Sequence, residues 1–259
     1  FTESIIIGEI YAQALERGGL NVERRLNLGS TQIALAAMAR GDIDLYPEYT
    51  GTALIDVLHH EPSSDARSIY RIVRDAFAKD YDIVWLDPSP MNDSQALATT
   101  PAAAKEFGLR TLSDLARVST RLRLATIPEF ITRSDGLPGL RKRYGGFQFA
   151  SVHSYDIALK YQALLTGSAD VATAFTTDGT LASQHLVVLQ DDRHLWPPYN
   201  VAPLVRRTTL AREPGISKIL NALAPNITDE RVRSMNAAVE EAKKDPADVA
   251  ASFLKAVTS

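Results

Sequence analysis

The sequence predicts an α/β protein built from two lobes, and three observations carry that reading. Strand-like and helix-like stretches alternate along most of the 259 residues, the pattern of sheets flanked by helices. One helix–turn–strand unit occurs twice. Two extended stretches near 94–99 and 200–205 separate the copies, as if one lobe were inserted into the other and joined to it by two crossing strands.

The duplicated unit is clearest at its turns. Tyr49 lies eight residues after Gly41, and Phe175 lies eight after Gly167. Each aromatic is followed by Thr, then a Gly-Thr pair, then a helical start. The preceding stretches match too, Ser30 to Leu35 against Ser154 to Leu159, both read as helix. In the first copy Ile43 to Tyr46 reads as a short buried strand stopped by Pro47, which has no N–H for a ladder. Tyr49, Thr50 and Thr52 then share a turn before a helix from about Ala53, an edge suited to ligand contact. The alternative is two ordinary units whose aromatics pack in the core.

The remaining elements follow in order. Thr2-Glu3-Ser4 can cap a helix to about Glu16, with Ile5, Ile6, Ile10 and Ala14 on one face and Gly18-Gly19 at its end. Val22 to Leu28 is a strand candidate. Ser30 or Thr31 caps a helix closed by Gly41, and Ser63 or Ser64 caps another that runs to Lys79 with Ile69, Ile72, Val73 and Ala76 in register. Asp82 to Leu86 and Ser94 to Thr99 read as strands, and Thr111 caps a short helix. Leu122 to Thr126 is a strand, followed by a Gly136–Gly139 turn. Phe147 to Val152, Leu186 to Leu189 and Val201 to Val205 are further strands in largely parallel sheets. The end is helical, with Asp229 and Glu230 opening one helix and Asp245-Pro246 another.

The segments Phe1 to Ile10, Gly41 to Leu54, Glu129 to Leu140, Ala169 to Gly179 and Pro197 to Arg206 resemble, in order, the substrate-binding proteins of osmoprotectant ABC importers. These are the ProX/OpuC-type binders of glycine betaine, choline and carnitine. Tyr-Pro-Glu-Tyr-Thr-Gly-Thr (46–52) together with Ser-Asp-Gly-Leu-Pro-Gly-Leu (134–140) is the strongest joint signal. The resemblance implies a type II periplasmic-binding-protein fold with a central ligand cleft. It also implies a short strand ahead of Phe1.

Members of that family hold a quaternary ammonium in a box of aromatic rings, because such a cation donates no hydrogen bonds and ring faces attract it. The resemblance places Tyr49, Phe175 and Tyr199 in the box, with Phe175 standing for a tyrosine. A fourth ring is replaced by Gln95. It further implies ligand contacts for Arg133, Thr52 and Thr176, and for Asp93 beside Gln95. Thr2, Glu3, Thr50 and Asn92 are possible polar contacts, with capping as their other role. Phe175 and Tyr199 could instead be packed core rings, and Glu129 or Asp135 could pair with arginines to shape their loop. A box short of one ring predicts weak glycine betaine binding, and the amide of Gln95 would set unmet polar atoms against methyl groups.

Composition narrows the function further. A net charge of −3 gives no footprint for nucleic acid, and no apolar run approaches a membrane span. The chain has no cysteine, which removes disulfides and thiolate chemistry and is compatible with an oxidising compartment. No nucleophile elbow, Walker loop or zinc-protease motif occurs, so no catalytic residue, metal or cofactor is expected. His59-His60 are adjacent and would diverge on a helix. Asp42 with Asp44 and Asp191 with Asp192 read as solvated or capping carboxylates.

The expected lobes are residues 1–95 plus 203–259, and 96–202. The expected function is non-enzymatic capture of a small cationic osmolyte by lobe closure, as a periplasmic monomer whose signal peptide has been removed. Delivery is to ABC permease subunits powered by a separate ATPase. The rival is the effector-sensing domain of a transcriptional regulator, which would need a helix-turn-helix upstream; an enzyme on the same lobes is a third possibility.

Overall fold

A computed structural model of the chain describes residues 1–157 and 159–257. Ala158, which the repeat aligns with Ala34, and Thr258 and Ser259 at the end of the expected discontinuous lobe lie outside the described residues. The described chain divides into two compact units, the first made of residues 1–61, 65–93 and the part from Pro198 on, the second of 62–64 and 94–197. The chain therefore leaves the first unit after Asp93 and returns at Pro198, ahead of the 202/203 boundary expected from sequence. Asn200 shows why: its N–H donates to Thr50 Oγ1 and its amide to Met91 O, so this stretch is tied to the first unit.

The first unit opens with α1 (Thr2–Arg17), α2 (Thr31–Arg40), β1 (Leu45–Tyr49), α3 (Thr50–Thr52), α4 (Ala66–Asp80) and β2 (Ile83–Trp85). The second unit holds β3 (Gln95–Thr99), α5 (Pro101–Phe107), α6 (Leu112–Val118), β4 (Arg123–Thr126), α7 (Pro128–Thr132) and α8 (Leu137–Tyr144). It continues with β5 (Ser151–Ser154), α9 (Lys160–Leu165), β6 (Val171–Phe175), α10 (Gly179–Ser183) and β7 (Val187–Val188). Back in the first unit come β8 (Val201–Arg206), α11 (Arg207–Arg212), α12 (Gly215–Leu223), α13 (Asp229–Glu240) and α14 (Pro246–Val257).

The sheets are mixed rather than largely parallel. In the first unit the order is β1-β8-β2 and both pairings are antiparallel. In the second it is β5-β4-β6-β3-β7, with β4 parallel to β5 and β6, and β3 antiparallel to β6 and β7. The two stretches expected to cross between lobes are thus sheet members: β3 belongs wholly to the second unit and β8 is the middle strand of the first.

Pro47 does not stop its strand. It lies at the centre of β1, opposite Pro203 of β8. Arg206 N–H donates to Asp44 O and Thr50 N–H to Asn200 O, which puts the hydrogen-bonded pairs at even positions of β1. Pro47 therefore faces Pro203 in a pair that exchanges no hydrogen bond, and its missing N–H points to the sheet edge. Val22 to Leu28 forms no strand. A cavity of about 710 Å³, lined by this segment and by residues 42–47, lies where a ladder to β1 would run.

Several local readings shift for identifiable reasons. Helix α1 is capped at Phe1, with Thr2 already inside its first turn. Asp65, not a serine, caps α4, accepting from the Arg67 and Ser68 N–H groups. Gly136 is the N-cap of α8 and Gly139 lies inside that helix, so 136–139 is no turn. A Cβ on Gly136 would stand 2.1 Å from Phe130 O, which explains glycine at this junction with α7. The second copy of the repeated helix begins at Lys160, because Ser151–Ser154 is strand and Tyr155 N–H extends it to Thr126 O.

Apolar faces close each unit. Ile6, Ile7 and Ile10 of α1 pack with Leu220, Phe253 and Leu254 on one side of the first sheet. Leu54, Ile69, Val73, Phe77 and Trp85 fill the other. In the second unit Leu164 and Tyr161 of α9 pack with Ala172 and Ala174 of β6. At the rim of the second unit Thr111 and Asp114 form a reciprocal capping box for α6. Thr111→Ala should cost about 1 kcal/mol, read as a lower urea midpoint at constant slope; no change would mean Asp114 alone satisfies that turn.

Candidate functional site

The site residues expected from sequence fall into two groups, one in each unit. In the first unit, β1 ends at Tyr49 and α3 begins at the next residue, so the ring stands at the end of the strand. Its hydroxyl donates to Glu3 Oε1 at 2.6 Å, and Glu3 Oε2 accepts from Asn236 Nδ2 at 3.0 Å. Glu3 is 1% exposed. Burial, then the carboxylates of Glu3 and Asp93, push the Tyr49 phenol well above its ordinary pKa, so it stays a donor. The Tyr49 N–H also donates to Glu48 Oε1 at 2.7 Å, and Glu48 is fully buried, so Tyr49 lies among buried carboxylates.

Tyr199 is held from three sides. Its N–H donates to Asn92 Oδ1 at 2.7 Å, its carbonyl accepts from Asp93 N–H at 3.2 Å, and its ring lies against Gly51. A Cβ on Gly51 would come within 2.6 Å of that ring and 2.9 Å of Pro198 O, which accounts for glycine in the Tyr-Thr-Gly-Thr turn. Thr50 bridges the same region, donating to Pro198 O and accepting from Asn200 N–H. Asn92 N–H donates to Asp229 Oδ1. Asn92 and Thr50 therefore serve the scaffold around Tyr199. Thr2 and Thr52 are half-buried, in the first turn of α1 and at the end of α3.

In the second unit, Gln95 and Phe175 are direct cross-strand partners at the ends of β3 and β6. Gln95 is buried, and its Nε2 donates to Asp135 Oδ2 at 3.1 Å. The expectation of an unmet amide donor is thereby revised: this donor has an acceptor within its own unit. Asp135 also takes two bonds from Arg133, 2.8 Å from Nε and 2.6 Å from Nη2, and its carbonyl accepts from Trp196 Nε1. The loop pairing considered for Asp135 is thus what the structure has, and it involves the expected ligand arginine itself. Thr176 is tied to Ser94, accepting its N–H at Oγ1 and donating its own N–H to Ser94 O.

Sequence reasoning missed one cluster here. The Lys160 ammonium, 1% exposed, pairs with Asp178 Oδ2 at 2.9 Å and stands 4.3 Å from the centroid of Phe175. The only signal was phase: Lys160 falls on the same face of α9 as Ala163 and Leu164, where a charge must find a partner. The acidic pairs do more than the solvated or capping roles expected of them: Asp42 and Asp44 pair with arginines, and Asp191 accepts the Tyr144 hydroxyl. Asp44 accepts from Thr209, and Asp191 accepts from the Leu195 and Trp196 N–H groups.

Residues 1–256 match the family described as the substrate binding domain of ABC-type glycine betaine transport systems. Among curated proteins the chain is 36% identical to the glycine-betaine-binding protein of Pseudomonas aeruginosa over 98% of its own length and 85% of that protein. It is 31% identical to the ergothioneine transport permease/ergothioneine binding protein EgtU of Helicobacter pylori, over 98% of this chain and 46% of that one. Among solved structures, one described as a glycine betaine/carnitine/choline ABC transporter superposes with a TM-score of 0.81 at 32% identity, covering 98% of this chain and 95% of that one. The fold is the α/β type II periplasmic-binding-protein fold. The regulator reading draws no support from these relatives.

Proposed function

The chain belongs to the family of substrate-binding domains of ABC-type glycine betaine transport systems, and we propose that it captures a small cationic osmolyte for an ABC permease. The observation that carries this reading is Tyr49, an aromatic ring at a strand end whose hydroxyl is bound by the buried carboxylate of Glu3. A ring in a negative field favours a poorly hydrated cation. Tyr199, fixed against Gly51, supplies a second ring of the same unit.

In this reading Gln95, Phe175, Thr176 and Arg133 form the other half-site. A ligand that contacts both units favours their closed arrangement, since only differential affinity moves such an equilibrium. The ligand class is a quaternary ammonium or related amine with polar groups near the charge. Ergothioneine, named for one relative, combines a trimethylammonium, a carboxylate and ring N–H groups. The protein would act outside the cytoplasm, as a monomer without a catalytic step, beside permease subunits and a separate ATPase.

Calorimetric titration of the folded protein with glycine betaine, carnitine, choline and ergothioneine tests the proposal. At least one should bind with 1:1 stoichiometry, and Tyr199→Ala should weaken it roughly tenfold, the loss of one cation–π contact. Thermal melts of the variant separate this from unfolding, because the ring is also packed. Binding of none of the four would reject the reading.

A further inference from the structure

The second unit already contains an ammonium in an aromatic cage of its own making. Lys160 Nζ lies 4.3 Å from the Phe175 centroid and 4.9 Å from that of Tyr161, both within cation–π reach. Its counter-ion, Asp178, accepts from Lys160 at 2.9 Å, from the Tyr161 hydroxyl at 2.6 Å and from Phe175 N–H at 2.9 Å. The carboxylate that neutralises the ammonium is therefore the one that anchors the end of β6, where Phe175 sits.

We propose that Lys160 and Asp178 are a specificity-determining pair: the fixed ammonium on Phe175 lowers the attraction of that ring for a ligand's cation, and Asp178 limits the reduction. This rests on the proposed function, in which the ligand meets Phe175. A ring that carries one cation attracts a second less, because the two cations repel each other across a poorly screening interior. A buried ion pair is itself weak support for stability, and apolar residues of similar volume commonly replace one without loss. At Tyr49 no such ammonium contact is seen among the described residues, and its hydroxyl is bound by the Glu3 carboxylate.

The sign of the effect separates this from a purely structural clamp. Lys160 repels a ligand cation and Asp178 attracts it, so removing one or the other moves affinity in opposite directions. A clamp would lose affinity both ways. Choline, a cation without a carboxylate, is the probe, titrated by NMR into wild type, Lys160→Met, Asp178→Asn and the double variant. Lys160→Met should bind choline roughly three- to tenfold tighter, Asp178→Asn weaker by a similar factor, and the double variant about threefold tighter than wild type. Should a single variant fail to fold, the double variant, in which no buried charge is left unpaired, carries the comparison. In wild type with ¹³C-labelled lysine, the Lys160 ε-methylene should resonate upfield of the other lysines and shift on choline saturation.

Weaker choline binding in both single variants, a double variant no tighter than wild type, or an unmoved ε-methylene overturns the inference. Phe175→Ala is the control for its premise. If that variant leaves choline affinity unchanged, the ring is outside the ligand site and the proposed half-site falls; if it weakens choline while the pair variants fail as above, only the role of the pair falls.

Discussion

Asp135→Ala should lower stability by roughly 3–5 kcal/mol, the range for removing one partner of a buried ion pair. Asp135 is fully buried and gathers three side chains of the second unit: Arg133 through two hydrogen bonds, Gln95 through its amide, and Trp196 through the Asp135 carbonyl. Truncation keeps the carbonyl contact but leaves the Arg133 guanidinium, whose side chain is only 19% exposed, without its bidentate counter-charge. The Gln95 amide loses its acceptor as well. Asp135→Asn retains one acceptor oxygen and should cost less, which separates charge from hydrogen bonding. Urea denaturation with far-UV detection measures both. A loss under 1 kcal/mol for the alanine variant would show that Arg133 finds solvent as readily as Asp135, and that the loop rather than the pair holds Gln95 in place.

What the sequence made legible was local and periodic. The repeat was readable because its turns demand particular residues. Gly41 and Gly167 both have positive φ, 81° and 74°, and the strands that follow both end on an aromatic. Helix caps written in neighbouring residues, such as Thr111 with Asp114 and Asp245 ahead of Pro246, were readable for the same reason. Strand partners were not. Whether β8 pairs within the first unit depends on contacts some 150 residues away in sequence, such as Thr50 with Asn200. The alternation of strands and helices suggested parallel sheets, but alternation says nothing about which strands become neighbours.

The site divides along the same line. Tyr49 could be picked out from the repeated turn and Tyr199 through the family resemblance; that Tyr199 packs on Gly51 appears only in the structure. The partners that decide their electrostatics could not. Glu3 looked like a capping or contact residue and is instead the buried acceptor for Tyr49 and Asn236. Arg133 looked like a ligand arginine, and its guanidinium is held by Asp135 two residues on. Lys160 lay in an ordinary helix in the sequence. Buried charge is a property of pairs. Asp135 with an arginine is readable because the two share one loop, whereas Glu3 with Tyr49 and Lys160 with Asp178 lie farther apart and leave no spacing rule to read.

Gln95→Tyr should invert the ligand preference, shifting the ratio of glycine betaine to triethanolamine affinity by about 100-fold or more. Gln95 opens β3 directly opposite Phe175, where a ring would stand beside a ring. In wild type that place is held by an amide whose donor is engaged by Asp135, so the penalty for betaine is the absent ring face rather than an unmet N–H. One good cation–π contact is worth ~1–2 kcal/mol, so the tyrosine should strengthen betaine roughly tenfold to thirtyfold. The same change removes the short polar side chain and should weaken an amine that offers hydroxyl groups, by a similar factor. Asp135 keeps both bonds from Arg133 in the variant, so the anchor beneath residue 95 persists. With Gln95 in place of a ring, wild type is expected to bind betaine weakly. Calorimetry with both ligands on both proteins decides the matter. Tight betaine binding by wild type, unimproved by the added ring, would sink the idea that Gln95 sets the preference of this site.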